Sequence, residues 1–121
     1  MSARDPITTS VAHRDGVAVV SIGGEIDLST APAFEAVIAE ALDEDPPALV
    51  IELSEVTFMA SVGLRILAAT QENVGNSIQI AVVAGNAAAS RPVQLTGLDN
   101  LISLYPTVDE ALTALGQAAC E

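Results

Sequence analysis

The stretch FMASVGLRIL, Phe58 to Leu67, places the hydroxyl of Ser61 between two apolar segments, with a glycine two residues later. Serine is favoured just ahead of a helix, because its Oγ accepts a hydrogen bond from a backbone N–H that has no partner inside the helix. The first interpretation of Ser61 is therefore a helix N-cap. The second is a switch, a hydroxyl that controls what the surrounding surface binds. The residue types alone leave both interpretations open.

Nucleophilic catalysis is disfavoured by the other residues of the chain. A Ser–His–Asp hydrolase needs a histidine within hydrogen-bond reach of the serine, and the single histidine, His13, falls on the first predicted strand. The sequence also has no G-x-S-x-G elbow, no phosphate-binding P-loop and no cluster of metal-ligand residues. We therefore predict that the protein is not an enzyme and that it uses no cofactor and no metal.

A helix that starts at Ser61 has one narrow polar sector, because about 100° of rotation per residue brings Ser61, Arg65 and Glu72 together. The apolar residues wrap most of the remaining surface. This is more apolar surface than one sheet face covers, so either other elements of the chain or a partner protein must bury the excess. The apolar residues are Leu64, Leu67 and Ala68 toward the sheet, and Val62, Ile66 and Ala69 on the far flank.

The residues next to the Ser61 hydroxyl are small or uncharged. Ala60, Val62 and Gly63 allow another protein to approach closely. Gly63 costs about 1 kcal/mol inside a helix relative to alanine, which indicates a local need such as close backbone approach.

Polar residues near two strand ends are weaker candidates. Asp27 lies in the predicted loop between the second strand and the first helix, where it fits either an Asx turn at the helix start or a contact with a binding partner. Glu25 and Ser54 are candidates of the same kind.

The elements that position these residues begin with a hairpin. Ile7 to His13 is a weak strand, Arg14-Asp15-Gly16 a turn, and Val17 to Ile22 a stronger strand that Gly23-Gly24 ends. The first helix follows, with N-cap candidates at Ser29 and Thr30 and a proline in its first turn. Its apolar stripe comprises Phe34, Val37, Ile38, Ala41 and Leu42.

Two apolar runs, Ala48 to Leu53 and Ile78 to Val83, flank the helix that starts at Ser61. Their consecutive apolar residues are typical of strands covered on both faces, and a strand–helix–strand unit predicts a right-handed parallel crossover. Three elements are predicted in the last third of the chain. They are a short helix from Ala87 to Ser90 interrupted by Pro92, a short strand from Leu101 to Tyr105, and a final helix capped by Thr107 with Glu110.

Composition restricts the class of partner. The 121 residues are enough for one domain, half of them are hydrophobic, and 16 acids against four arginines give a formal net charge of −12. Such a charge repels nucleic acid and anionic lipid, so we predict neither as a partner. A single cysteine, Cys120, excludes an internal disulfide. With no signal peptide and no apolar run near the ~20 residues of a membrane span, a cytoplasmic protein is expected.

Three quoted stretches resemble a known family. VSIGGEIDLSTAPAFEAVI, ALVIELSEVTFMASVGLRIL and GLDNLISLYPTVDEAL are similar to the STAS-domain anti-sigma factor antagonists of bacteria, from about Val17 to Leu115. The family motifs are Gly24 to Asp27, Leu53-Ser54 and Ser61 to Leu64. The resemblance implies an α/β fold with a small mixed β-sheet packed by helices, as a single STAS domain over residues 1–121.

The resemblance also implies a function for Ser61. In such proteins the unphosphorylated antagonist binds an anti-sigma factor, which is also a serine kinase, and sets a sigma factor free. Phosphorylation of the serine abolishes binding and a phosphatase restores it. The one departure is Ala60, where the family often has aspartate. A partner-binding surface is implied at Glu25, Asp27, Met59, Ala60, Ser61, Val62, Gly63, Leu64 and Arg65.

The same fold permits a second function. A free-standing STAS regulatory subunit of a transporter, or a nucleotide- or lipid-sensing module, has the same pattern of elements. The protein that copurifies with the chain distinguishes the two functions.

Overall fold

The computed structural model describes the backbone of residues 7–14, 16–75 and 77–120. It describes the side chains of these residues up to residue 115. These residues form a five-stranded mixed sheet in the order β1-β2-β3-β4-β5, with four α-helices. No helix among them is long and apolar enough to cross a membrane. The strands are β1 (Ile7–Arg14), β2 (Val17–Ile26), β3 (Ala48–Met59), β4 (Gln79–Val83) and β5 (Ser103–Tyr105), and the helices are α1 (Ala31–Leu42), α2 (Ser61–Val74), α3 (Ala87–Leu95) and α4 (Val108–Cys120).

The hairpin predicted at the start of the chain is confirmed, since β1 and β2 pair antiparallel. The predicted end of β2 at Gly23-Gly24 is wrong. Both glycines stay in the ladder, opposite Glu55 and Val56 of β3, with irregular register on either side. A side chain at position 23 would collide with Thr8 and Glu55, so this glycine permits the strands to approach and β2 to continue.

Strand β3 is twice as long as predicted, because it continues past Leu53 to Met59 alongside the extended end of β2. It pairs parallel with β2 on one side and with β4 on the other. The parallel crossover through α2 is therefore confirmed. The extended β3 brings the chain to the carboxyl-terminal end of the central strand, where α2 begins.

The core divides into two layers on the two faces of the sheet. Helices α1, α2 and α3 supply buried residues to the larger layer, whereas α4 supplies Ala111 and Leu115 to the smaller one. The predicted stripe of α1 is confirmed, with Phe34 fully buried. Because three helices share one face, α2 is flanked by a neighbouring helix as well as by the sheet.

Helix α3 differs from its prediction, because it continues through Pro92 to Leu95 instead of being interrupted. Asn86 holds its start: the side-chain Oδ1 accepts from the Ala89 N–H at 3.4 Å, while Nδ2 donates to the backbone oxygens of Ser54 and Val56 at 2.6 and 2.8 Å. These bonds fix the first turn to β3, so the helix persists despite the N–H that proline lacks.

The end of the chain agrees more closely with prediction. Strand β5 begins at Ser103, later than the predicted Leu101, because a short 3-10 helix precedes it. The cap of α4 is confirmed, since the Thr107 Oγ1 accepts from the Glu110 N–H at 3.1 Å. Asp15 of the predicted turn, residues 1–6 and the Cys120 side chain lie outside the described residues.

Candidate functional site

Ser61 is the first residue of α2 and is exposed. The predicted N-cap role is wrong: the N-cap is Ala60, in extended backbone (φ −79°, ψ 167°), and none of the described side chains caps this helix start. Since the chain leaves β3 at Met59 and needs one extended residue before it turns, Ser61 is already the first helical residue. Its hydroxyl is thus presented at a helix start whose first N–H groups no side chain caps.

A backbone tie fixes this helix start against β2. The Ala60 N–H donates to the Ile26 oxygen at 2.8 Å, directly beyond the last residue pair of β2 and β3, Ile26 with Met59. The Gly63 N–H in turn donates to the Ala60 oxygen at 2.9 Å. The loop that follows Ile26 therefore lies beside Ser61.

Gly63 and Met59 support the start of α2 from the side of the core. Met59 is 6% exposed and Gly63 is buried. A Cβ at position 63 would collide with the Met59 Sδ and come within 2.8 Å of the Ile26 Cγ2. The close backbone approach predicted for Gly63 is confirmed. Both residues were predicted to contact a partner, but their burial gives them a supporting role beneath the surface.

Asp27 organises the loop between β2 and α1. Its carboxylate accepts from the Ser29 Oγ at 2.7 Å, the Ser29 N–H at 3.0 Å and the Thr30 N–H at 3.2 Å. These donors, the Ser29 hydroxyl foremost, lower the pKa of Asp27. The Asx turn predicted for Asp27 is confirmed. Thr30 closes the loop, since its Oγ1 donates to the Glu25 oxygen at 2.8 Å.

Leu28 is a candidate contact residue that the sequence analysis missed. It lies at the tip of this rigid loop and its side chain is 79% exposed. A leucine between Asp27 and Ser29, in a loop whose other residues are polar, was the available signal. Single exposed apolar residues are common on protein surfaces, and Leu95 is equally exposed, so it is the place of Leu28 beside the start of α2 that makes it a candidate.

The apolar flank of α2 is covered mainly by the chain's own α1. Ile66 is buried and Val62 is half-buried, so most of the excess apolar surface predicted for α2 has an internal partner. A shallow depression of about 210 Å³ remains along the seam of the two helices. Its lining comprises Ala31, Glu35, Val62, Arg65, Ile66 and Ala69.

One surface, which we call the Ser61 face, contains the exposed Leu28, Ser61 and Arg65 and the half-buried Val62. The predicted polar sector of α2 is confirmed, since Ser61, Arg65 and Glu72 are all exposed. The half-buried Leu64 packs against the core and contributes little to the face.

Glu25 and Ser54 lie away from the Ser61 face. Glu25 pairs with Phe58 across the strands, and both precede residues whose side chains enter the larger core layer. Because side chains alternate along a strand, Glu25 points to the other side of the sheet. Ser54 is structural, since its Oγ accepts from the Gly85 N–H at 3.1 Å.

The fold and this helix start define the class of protein. Residues 8–111 match the STAS domain family, so the chain belongs to that family. It is 53% identical over 115 residues to the anti-sigma-F factor antagonist RsfB of Mycobacterium tuberculosis, covering 95% of this chain and 94% of that protein.

Solved structures agree with this membership. An anti-sigma factor antagonist from Mycobacterium paratuberculosis superimposes with a TM-score of 0.87 at 56% identity, covering 94% of this chain and 97% of the other. The STAS domain of a SulP transporter from Vibrio cholerae gives a TM-score of 0.63 at 23% identity, over 91% and 89% of the two chains. The likeness to the SulP transporter domain shows only a shared fold.

Proposed function

We propose that this protein is an anti-sigma factor antagonist that binds its anti-sigma factor through the Ser61 face and thereby releases a sigma factor. The observation that carries the proposal is the exposure of Ser61 at a fixed helix start beside the exposed Leu28. The near full-length match to a relative named as an anti-sigma-F factor antagonist supports the same function.

Two segments distant in sequence support a single docking surface. The Asp27–Thr30 loop is anchored at both ends. Before it, the Ile26 oxygen accepts a hydrogen bond from the Ala60 N–H. After it, Ala31 lines the depression between α1 and α2 together with Val62. Leu28 thus provides an apolar anchor next to a hydroxyl and a shallow depression. Surfaces of this kind bind through a few well-packed apolar residues surrounded by polar ones.

Phosphorylation of Ser61 is the proposed switch. A serine kinase, here the anti-sigma factor itself, transfers the γ-phosphoryl group of ATP to the Ser61 Oγ, releasing ADP and a proton, and a phosphatase later hydrolyses the ester. The phosphate brings about −1.5 to −2 charges to a helix start, where the dipole and backbone N–H groups favour an anion. The domain therefore keeps its fold, while burial of that charge against the partner is unfavourable.

The proposal also covers location and catalysis. The chain acts as a cytoplasmic binding protein and not as an enzyme. His13 is exposed on β1 and bonded to Glu44 at 2.5 Å, apart from the Ser61 face, so it does not activate the Ser61 hydroxyl. A regulatory subunit of a transporter is the alternative function. It is less supported, because the transporter likeness rests on the fold at 23% identity.

The test is a release assay with purified proteins: the chain is added to a preformed complex of the host's sigma factor and anti-sigma factor, and free sigma factor is measured. We expect release by the wild type and by Ser61→Ala, but at least about tenfold weaker release by Leu28→Asp, because a charge then replaces the apolar anchor. Leu95→Asp is the matched control, since Leu28 and Leu95 are both 79% exposed.

Equal release by the Leu28→Asp and Leu95→Asp variants would exclude the Ser61 face as the docking surface. No release by the wild type from any sigma–anti-sigma complex of the host would exclude the proposed function itself. Unfolding curves of both leucine variants should match the wild type, because neither side chain packs in the core.

A further inference from the structure

We propose that Arg65 receives the phosphate on Ser61 and that Glu35 of α1 competes with this phosphate for the Arg65 guanidinium. The inference rests on the proposed function, because it describes how the chain accommodates the modification. It gives Arg65 a positioning role in the phosphorylated state.

The helix geometry brings Arg65 to the hydroxyl. Ser61 and Arg65 are four residues apart in α2, so they are neighbours on its surface, and both are exposed. Side chains of a helix lean toward its N-terminus, and the Arg65 side chain is long enough to reach the first turn. A guanidinium also matches phosphate oxygens with two parallel hydrogen bonds.

The first turn of α2 lacks the acidic residues that are common at helix starts. Acidic residues commonly occupy the first turn, where they stabilise the positive end of the helix dipole. Helix α2 has none there, and Arg65 follows directly after the first turn. A phosphate on Ser61 supplies the missing negative charge to both the helix start and Arg65.

Glu35 is the carboxylate that lines the same depression as Arg65, between α1 and α2, in the unphosphorylated protein. The ion pairs found among the described residues are His13–Glu44 and Arg14–Asp109, so Arg65 and Glu35 face one depression without closing a pair. Arg65 is therefore available to move toward a stronger anion one turn away.

Acidic neighbours favour a cation beside this phosphate. Asp27 in the adjacent loop and Glu35 on α1 lie around the helix start, while Glu25 at the end of β2 faces the other side of the sheet. Each carboxylate repels a phosphate dianion and raises its second pKa, whereas Arg65 lowers it. The phosphate pKa thus reports whether the Arg65 charge acts on the phosphate.

The experiment encodes phosphoserine at position 61 in the full chain and follows the second phosphate pKa by ³¹P NMR. We expect Arg65→Gln to raise this pKa by about half a unit or more. Glu35→Gln should lower it, because it removes both a repulsion and a competitor. Arg91→Gln is the matched control, since Arg91 is an exposed arginine on α3, and it should leave the value unchanged.

The same phosphate pKa in Arg65→Gln and Arg91→Gln would overturn the inference. Affinity for the anti-sigma factor is measured separately on the same proteins. If the phosphorylated protein binds as tightly as the unphosphorylated one, the proposed switch fails, but the pKa comparison still decides the role of Arg65.

Discussion

Asp27 sets the conformation of the loop that presents Leu28. Its carboxylate accepts hydrogen bonds from two consecutive residues, Ser29 and Thr30. An ionised carboxylate is a better acceptor than a neutral one, which is why the Ser29 hydroxyl and the backbone donors lower the pKa of Asp27. The position of the Leu28 anchor therefore depends on a charge one residue away.

Asp27→Asn should destabilise the protein at pH 7, because it keeps the turn but removes the charge. Since the pKa of Asp27 is lower in the folded state, the charge contributes stability above the unfolded-state pKa of about 3.9. That contribution is lost as the pH falls through the folded-state pKa. The gap in melting temperature between wild type and variant should narrow from pH 7 to below pH 3. A gap that stays constant would contradict this role.

Asn86 joins two elements. Its side-chain amide donates to the backbone oxygens of Ser54 and Val56 in β3, while its Oδ1 caps α3. Without it, α3 has a proline in its interior and no capping side chain, and two carbonyl groups of β3 lose their donors.

We expect Asn86→Ala to lower the free energy of unfolding by about 2 kcal/mol, the sum of a lost cap and unsatisfied carbonyl groups. Asn86→Ser retains a capping oxygen and should lose roughly half as much. Urea denaturation measures both, with Asn100→Ala, at an exposed position of the 3-10 helix, as the control. Equal losses for Ala and Ser would show that the cap contributes nothing.

Helices α1 and α4 were more predictable than the strand ends. The apolar period of α1 and the capping pair of α4 are local signals, so the sequence determined where these helices begin. The ends of β2 and β3 depend on each other: Gly23 is a strand breaker by propensity, but it is needed where Thr8 and Glu55 approach. Only the pairing of distant segments reveals that requirement.

In the Ser61 face too, the residues within one element were predictable from the sequence, whereas those brought together from distant segments were not. Ser61 and Arg65 were found from the spacing within one helix. Leu28 was missed, because its neighbourhood depends on the bond from Ala60 to Ile26, which joins segments about thirty residues apart in the chain. Glu25, although close to Asp27 in sequence, points to the other side of the sheet.

The charge of the whole molecule also bears on the switch. A net charge of −12 means that one more phosphate changes the total field little. The switch must therefore act locally, at the interface, where an anion loses its hydration on binding. A penalty of about 4 kcal/mol weakens binding nearly a thousandfold.

The most direct measurement is the dissociation constant for the anti-sigma factor, determined by calorimetry with Ser61 unmodified and with phosphoserine encoded at position 61. We predict binding that is weaker by about a thousandfold in the phosphorylated protein, with backbone amide chemical shifts that change only around Ser61, Arg65, Glu35 and the Asp27–Thr30 loop. Equal dissociation constants for the two forms would contradict the account.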